Sequence, residues 1–117
     1  MEIKGQAVLL RIFIGESDKV GHQPLHEVIV RKAREQGLAG ATVLKGVLGY
    51  GATRHIRTTK ILDLSADLPM VIEIVDEQAK VEAFHPVCSE LIEQANCGGL
   101  VTLENIRVVR YRPGRPH

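Results

Sequence analysis

The stretch Gly37-Leu-Ala-Gly-Ala-Thr-Val-Leu-Lys-Gly-Val-Leu-Gly-Tyr-Gly51 divides the chain into two halves of similar plan. Thr42, Val43, Leu44, Val47 and Leu48 supply strand-forming side chains. Gly37 and Gly40 stop a preceding helix, and Gly49 and Gly51 release the chain around Tyr50. A strand that ends in Gly-Tyr-Gly must change direction there.

Upstream, Gln6 to Ile14 is apolar almost throughout, which predicts a strand in the middle of a sheet, covered on at least one face. A polar run follows and closes at Pro24, a residue favoured at the first helical position. Leu25, Val28, Ile29 and Ala33 then share one face of a helix that ends at Gly37. Downstream, Ala52 to Thr59 is a polar loop and Lys60 to Leu64 a short returning strand. Leu68 to Val75 is a buried strand with Pro69 confined to its start. Asp76 is placed to cap a second helix. Val81, Phe84, Cys88, Leu91, Ile92 and Ala95 recur at spacings of three and four, and Gly98 is placed to close that helix. Pro86 lies inside the pattern and predicts a kink near His85. Val101 to Tyr111 is the last strand, and residues 112–117 form a tail.

The order strand, helix, strand, strand, helix, strand predicts an α+β, ferredoxin-like βαββαβ sandwich, in which both helices cover one face of an antiparallel sheet. The 117 residues fit one domain. The other sheet face is left open although its strands are apolar, and burying it against copies of the chain predicts a homo-oligomer, most simply a trimer.

Composition narrows the function. The net charge is +1, and the chain has no Trp, two Phe and two Tyr, so a nucleic-acid-binding role is excluded for want of positive field and stacking surfaces. No apolar run approaches the roughly 20 residues of a membrane span and the first residues do not form a signal peptide, so the expected location is cytoplasmic. Cys88 and Cys97 lack the spacing of a metal or redox pair and are expected to be reduced, buried thiols.

Residues 40–51, 68–77 and 105–114 resemble the second, third and last strands of the nitrogen-regulatory PII signalling proteins. Gly15-Glu-Ser-Asp18, the run from Pro24 to Gly37, and Gly99-Leu-Val-Thr-Leu-Glu104 are similar to a PII-like branch of bacteria and archaea. The resemblance covers nearly the whole chain. It implies a homotrimer with clefts between subunits that bind an adenine nucleotide (AMP, ADP, ATP or cyclic AMP). It also implies a mobile T-loop, here about residues 51–60, that controls a protein partner, with a membrane transporter as one candidate.

The residues supply a candidate site of their own. On a strand, Arg110 and Arg112 leave one face about 7 Å apart, given a rise of about 3.4 Å per residue, and two guanidinium forks there suit an anion with several oxygens. These positions match the phosphate-binding arginines of the PII family; the other reading is a charged edge strand that resists aggregation. Gly98 and Gly99 match a phosphate-contacting loop in which consecutive glycines let N–H groups converge, although Gly98 also serves as a helix stop. Gly49, Tyr50 and Gly51 match the base of the T-loop. The loop itself is much shorter than in the nitrogen regulators and carries no tyrosine at its tip. Its Arg54, His55, Arg57 and Lys60 are candidates for phosphate or acidic-partner contact. Glu16 and Asp18 either orient a ligand or serve as a loop and helix-entry device. His22 and His26 lack a third ligand for a metal site. No nucleophile, base and orienter occur together, so the chain reads as a regulator and not as an enzyme. The alternative is a divalent-metal-binding trimer of the cation-tolerance type.

Overall fold

The computed structural model describes residues 2–53, 55–59 and 67–114. Four strands form the main sheet: β1 (Gly5–Gly15), β4 (Thr42–Lys45), β7 (Pro69–Asp76) and β8 (Leu100–Val108). Their spatial order is β4-β7-β1-β8 and every pairing is antiparallel. The apolar first strand therefore sits in the middle, and α1 (Leu25–Glu35) and α2 (Gln78–Ala95) complete a ferredoxin-like α+β sandwich. Two small ribbons join the plan: β2 (Lys19–Val20) pairs with β3 (Gln23–Pro24), and β5 (Leu48–Gly49) with β6 (Arg57–Thr58).

Alternation along the central strands decides which side is core. Val8, Leu10, Ile12 and Ile14 of β1 and Met70, Ile72 and Ile74 of β7 are buried beneath the helices. Leu25, Ile29 and Ala33 of α1 meet them at spacings of four. Val81, Phe84, Cys88 and Leu91 of α2 meet them at spacings of three and four. Phe84, fully buried, is the largest side chain of this core.

The opposite face is open and its register can be read in rows. Leu44, Val71, Phe13 and Leu100 cross all four strands as one apolar row. Thr42, Glu73, Arg11 and Thr102 form the next, with Arg11 Nε 2.8 Å from Glu73 and Arg11 Nη1 3.4 Å from Glu104. A polar centre thus interrupts an otherwise apolar face. Among the described residues no helix is long and apolar enough to cross a membrane.

The structure departs from the sequence reading at several joints. The second strand breaks at Gly46, so that only Thr42–Lys45 joins the main sheet while Leu48–Gly49 folds onto Arg57–Thr58. The last strand ends at Val108, so Arg110 and Arg112 lie beyond it and not on it. Helix α2 runs unbroken through Pro86 and is closed by Asn96, in the left-handed conformation (φ 51°, ψ 44°), and not by Gly98. Asp76 does not cap α2 by a side-chain bond into its first turn. Its carboxylate instead accepts the N–H of the cap residue Glu77 at 2.7 Å. The strand expected at Lys60 to Leu64 falls outside the described residues.

Candidate functional site

Antiparallel topology sorts the candidate residues to two ends of the molecule. One end gathers the close of β1, the start of α1, the close of β4, the β5–β6 ribbon, the start of β7 and the end of α2. Gly49, Tyr50, Gly51, His55, Arg57, Glu16, Asp18, Gly98 and Gly99 all belong there. The opposite end holds the start of β1, the end of α1, the start of α2 and, past the close of β8, Arg110 and Arg112. Strand β8 alone separates the two ends by about 27 Å at a rise of about 3.4 Å per residue. No single anion touches both within one chain.

At the first end the loop after β1 is built on carboxylates. Asp18 accepts the Gly15 N–H at 2.7 Å, and Leu25 N–H bonds the Asp18 carbonyl at 2.8 Å, leading the chain into α1. Asp18 is therefore engaged as a helix-entry device. Glu16 lies 2.5 Å from the Lys45 ammonium at the close of β4. Asp67, which no sequence motif marks, accepts the Ser17 N–H at 2.7 Å and stands 3.5 Å from Arg57 of the ribbon. A Cβ at Gly15 would come within 2.7 Å of that carboxylate, so the close approach accounts for the glycine. One ion pair thus ties the close of β4 to the β1–β2 loop, and the other ties the β5–β6 ribbon to Asp67, which in turn holds that loop through Ser17. Gly49 also has a packing reason, since a Cβ there would press on the Pro69 ring at 3.1 Å. His55 is exposed on the loop beyond, while Arg54 and Lys60 fall outside the described residues.

Val47, Leu48, Tyr50 and Ile56, in and around this ribbon, are all more than half exposed. The ribbon and its flanking residues accordingly present exposed apolar side chains. Gly98 faces open space and Gly99 packs on Ile92 and Ile14.

Cys97 lies in the same neighbourhood. Burial first, and then the nearby Asp18 carboxylate, push its thiol up to about 11, while burial pushes Cys88 up to about 12. A thiol at these values carries almost no thiolate near neutrality, so both cysteines are expected to resist Ellman's reagent at pH 8 in the native protein and to react at once in denaturant. Rapid native labelling of Cys97 would contradict this. Because both folded values lie above that of an unfolded thiol, their contribution to stability is intact below about pH 9 and is lost as the pH rises through 11 to 12.

At the second end the chain past β8 is pinned. Tyr111 donates its hydroxyl to the Ala39 carbonyl at 2.6 Å, and its own carbonyl accepts the Ile3 N–H at 3.2 Å. Ala39 and its neighbours Leu38, Gly40 and Ala41 join Arg34 of α1 around a groove of about 270 Å³. Sequence reasoning missed this association of Tyr111 with the α1–β4 loop. Among the described residues no three His, Cys, Asp or Glu side chains are grouped to hold a metal ion.

Comparison with known proteins places this architecture. The model of the DUF190 family, described as "Uncharacterized ACR, COG1993", matches residues 7–108. A UPF0166 protein of Aquifex aeolicus (strain VF5) is 40% identical over 101 residues, covering 86% of this chain and 91% of the relative. A UPF0166 protein of Methanocaldococcus jannaschii is 31% identical over 105 residues, covering 90% and 94%. Among solved structures, CPII of Thiomonas intermedia K12, a nitrogen regulatory PII-like protein bound to ADP, AMP and bicarbonate, superposes with a TM-score of 0.67. It is 16% identical, covers 92% of this chain and 91% of its own, and shares the fold. By its family match and its architecture this chain belongs to the DUF190 family and carries a PII-like fold.

Proposed function

We propose that this chain is a trimeric PII-like regulatory protein that binds an adenine nucleotide between subunits and controls a protein partner through its T-loop. It would act as one domain in the cytoplasm. The base of the T-loop and the Gly98–Gly99 loop of one subunit would face Arg110 and Arg112 of another. The observation that carries this reading is the separation of the two groups by the length of β8, because anion-binding arginines and a glycine-bounded loop at opposite ends of one chain can share a ligand only across a subunit boundary. The open apolar face supplies a surface for such assembly. CPII, which shares the fold, is bound to ADP and AMP.

The two ion pairs on the T-loop stem suggest how a ligand would be reported. Lys45 and Arg57 are held by Glu16 and Asp67. A phosphate arriving at Gly49–Gly51 competes with those carboxylates for the same cations and so favours the stem conformation in which they are released. The apolar residues of the stem would then be offered to a partner differently in the two states. We read the role as regulatory and not catalytic, since the thiol near this cluster is kept protonated and the carboxylates beside it are occupied in loop bonds.

The test is calorimetry with ATP, ADP, AMP and cyclic AMP on the wild type and on Arg110→Ala. Binding of at least one nucleotide, weakened at least tenfold in the variant, is expected from the loss of a charge-assisted contact. Heat from none of the four, or equal affinity in the variant, would rule the reading out.

A further inference from the structure

Arg110 and Arg112 follow β8 into a segment outside the regular sheet. Guanidinium groups on an untethered chain make a poor anion receptor, because ordering them subtracts from the binding free energy. The residue between them is tethered at both of its polar ends. The Tyr111 carbonyl accepts the Ile3 N–H at 3.2 Å, beyond the last β1–β8 pair of Gly5 with Val108, and its hydroxyl donates to the Ala39 carbonyl at 2.6 Å.

The acceptor of that hydroxyl bond is itself immobilised. Ala39 donates its N–H to Asp76 at 2.9 Å, and Asp76, only 1% exposed, also accepts the Glu77 N–H at the start of α2. Two residues earlier the Gly37 carbonyl accepts from the Lys80 ammonium of α2 at 2.9 Å. The α1–β4 loop is thereby fastened to the start of α2 from below, and Tyr111 grips the same loop from above. Strands β4 and β8 are opposite edges of the sheet, so this hydroxyl ties the segment after one edge to the loop that feeds the other. Tyr111 itself keeps 38% of its surface exposed, so its two polar bonds and not burial tether it. Both arginines are exposed.

We infer that Tyr111 is a positioning residue: the succession Asp76, Ala39, Tyr111 holds Arg110 and Arg112 in one presentation toward the phosphates of a nucleoside mono- or diphosphate. This inference rests on the nucleotide reading proposed above. Tyr111 touches no phosphate itself. Its hydroxyl acts through the backbone on either side of it, so that the two guanidinium groups meet the anion already ordered.

The experiment is a double-mutant cycle. ADP is titrated calorimetrically into the wild type, Tyr111→Phe, Arg110→Ala and the double variant, with the assembly state and thermal midpoint of each recorded. Tyr111→Phe keeps the ring and removes only the hydroxyl. It is expected to weaken ADP binding about fivefold, the weight of one net hydrogen bond, without changing the assembly. In its background Arg110→Ala should cost less than it does alone, because a poorly presented arginine has less to lose. A residue that merely stabilised the fold would leave the two effects additive. Unchanged ADP affinity in Tyr111→Phe, or strict additivity, overturns the inference while leaving the nucleotide reading intact. Failure of the wild type to bind ADP overturns the inference, and heat from none of ATP, ADP, AMP and cyclic AMP removes the reading on which it stands.

Discussion

Asp76→Ala is expected to lower the stability of the fold by about 3 kcal/mol, from the loss of two bonds to a charged acceptor. The Asp76 side chain is buried, 1% exposed, and its two oxygens take the N–H groups of Ala39 at 2.9 Å and Glu77 at 2.7 Å. Truncation removes both bonds and leaves two backbone donors without their acceptor, one at the start of α2 and one in the α1–β4 loop. Against a total stability of roughly 5–15 kcal/mol for an ordinary domain, this is a large fraction. A thermal melt followed by circular dichroism should show the midpoint fall by about 10 °C or more. Asp76→Asn, whose amide oxygen keeps one acceptor, should fall between the variant and the wild type. An Asp76→Ala midpoint within a degree or two of the wild type would show that these bonds add nothing net. Because Ala39 also receives the Tyr111 hydroxyl, the same variant should loosen the segment that carries Arg110 and Arg112.

The second large effect is expected from Val71→Asp. Val71 lies in the middle of the apolar row on the open face, between Phe13 on β1 and Leu44 on β4. It is half-buried and on the side away from the helices, so the isolated chain can keep a carboxylate there hydrated and retain its fold. An assembly that buries this face cannot do so. An unpaired carboxylate in an apolar interface costs several kcal/mol, and three copies would be gathered in a trimer. Light scattering is therefore expected to report the 12.9 kDa mass of the single chain for the variant, with an unchanged far-ultraviolet spectrum. Nucleotide binding should vanish with the assembly if the site spans two subunits. A variant that stays assembled would show that the interface lies elsewhere. Arg11, paired with Glu73 and Glu104 near the centre of the same face, would be enclosed along with Val71, and a satisfied ion pair in such a place is a plausible way to select one arrangement of the sheets over others.

The fold was legible in the chain because its signals are local. Gln6 to Ile14 is apolar at every position but Gln6 and Arg11, which suits a strand central in its sheet, and β1 is flanked by β7 and β8. Leu25, Ile29 and Ala33 at intervals of four, and Val81, Phe84, Cys88 and Leu91 at three and four, announce helices whose buried faces are those residues. Errors came where a local preference was overruled. Pro86 was read as a kink, yet the hydrogen-bonded helix continues on both sides of it; Gly98 was read as the helix stop, yet Asn96, whose short polar side chain tolerates the left-handed conformation, takes that place two residues earlier. The sequence places the last strand over Val101 to Tyr111 with Arg110 and Arg112 on one of its faces, but β8 has a pairing partner in β1 only as far as Gly5 opposite Val108.

By itself, then, the sequence determined the order of strands and helices in the main sandwich, the buried face of each helix and the kinds of residue available for an anion site, since these follow from composition and from periodicity over a few residues. Only the tertiary structure decided which of those residues meet. Asp67 reaches Ser17 across a separation of 50 residues, and Tyr111 reaches Ala39 across 72. A polar bond between two loops depends on where strands of different length happen to end in space, and nothing in the local alternation of side chains records that. The same topology set Gly49 and Gly51 near one end of β8 and the two arginines past the other, a separation that no local pattern records.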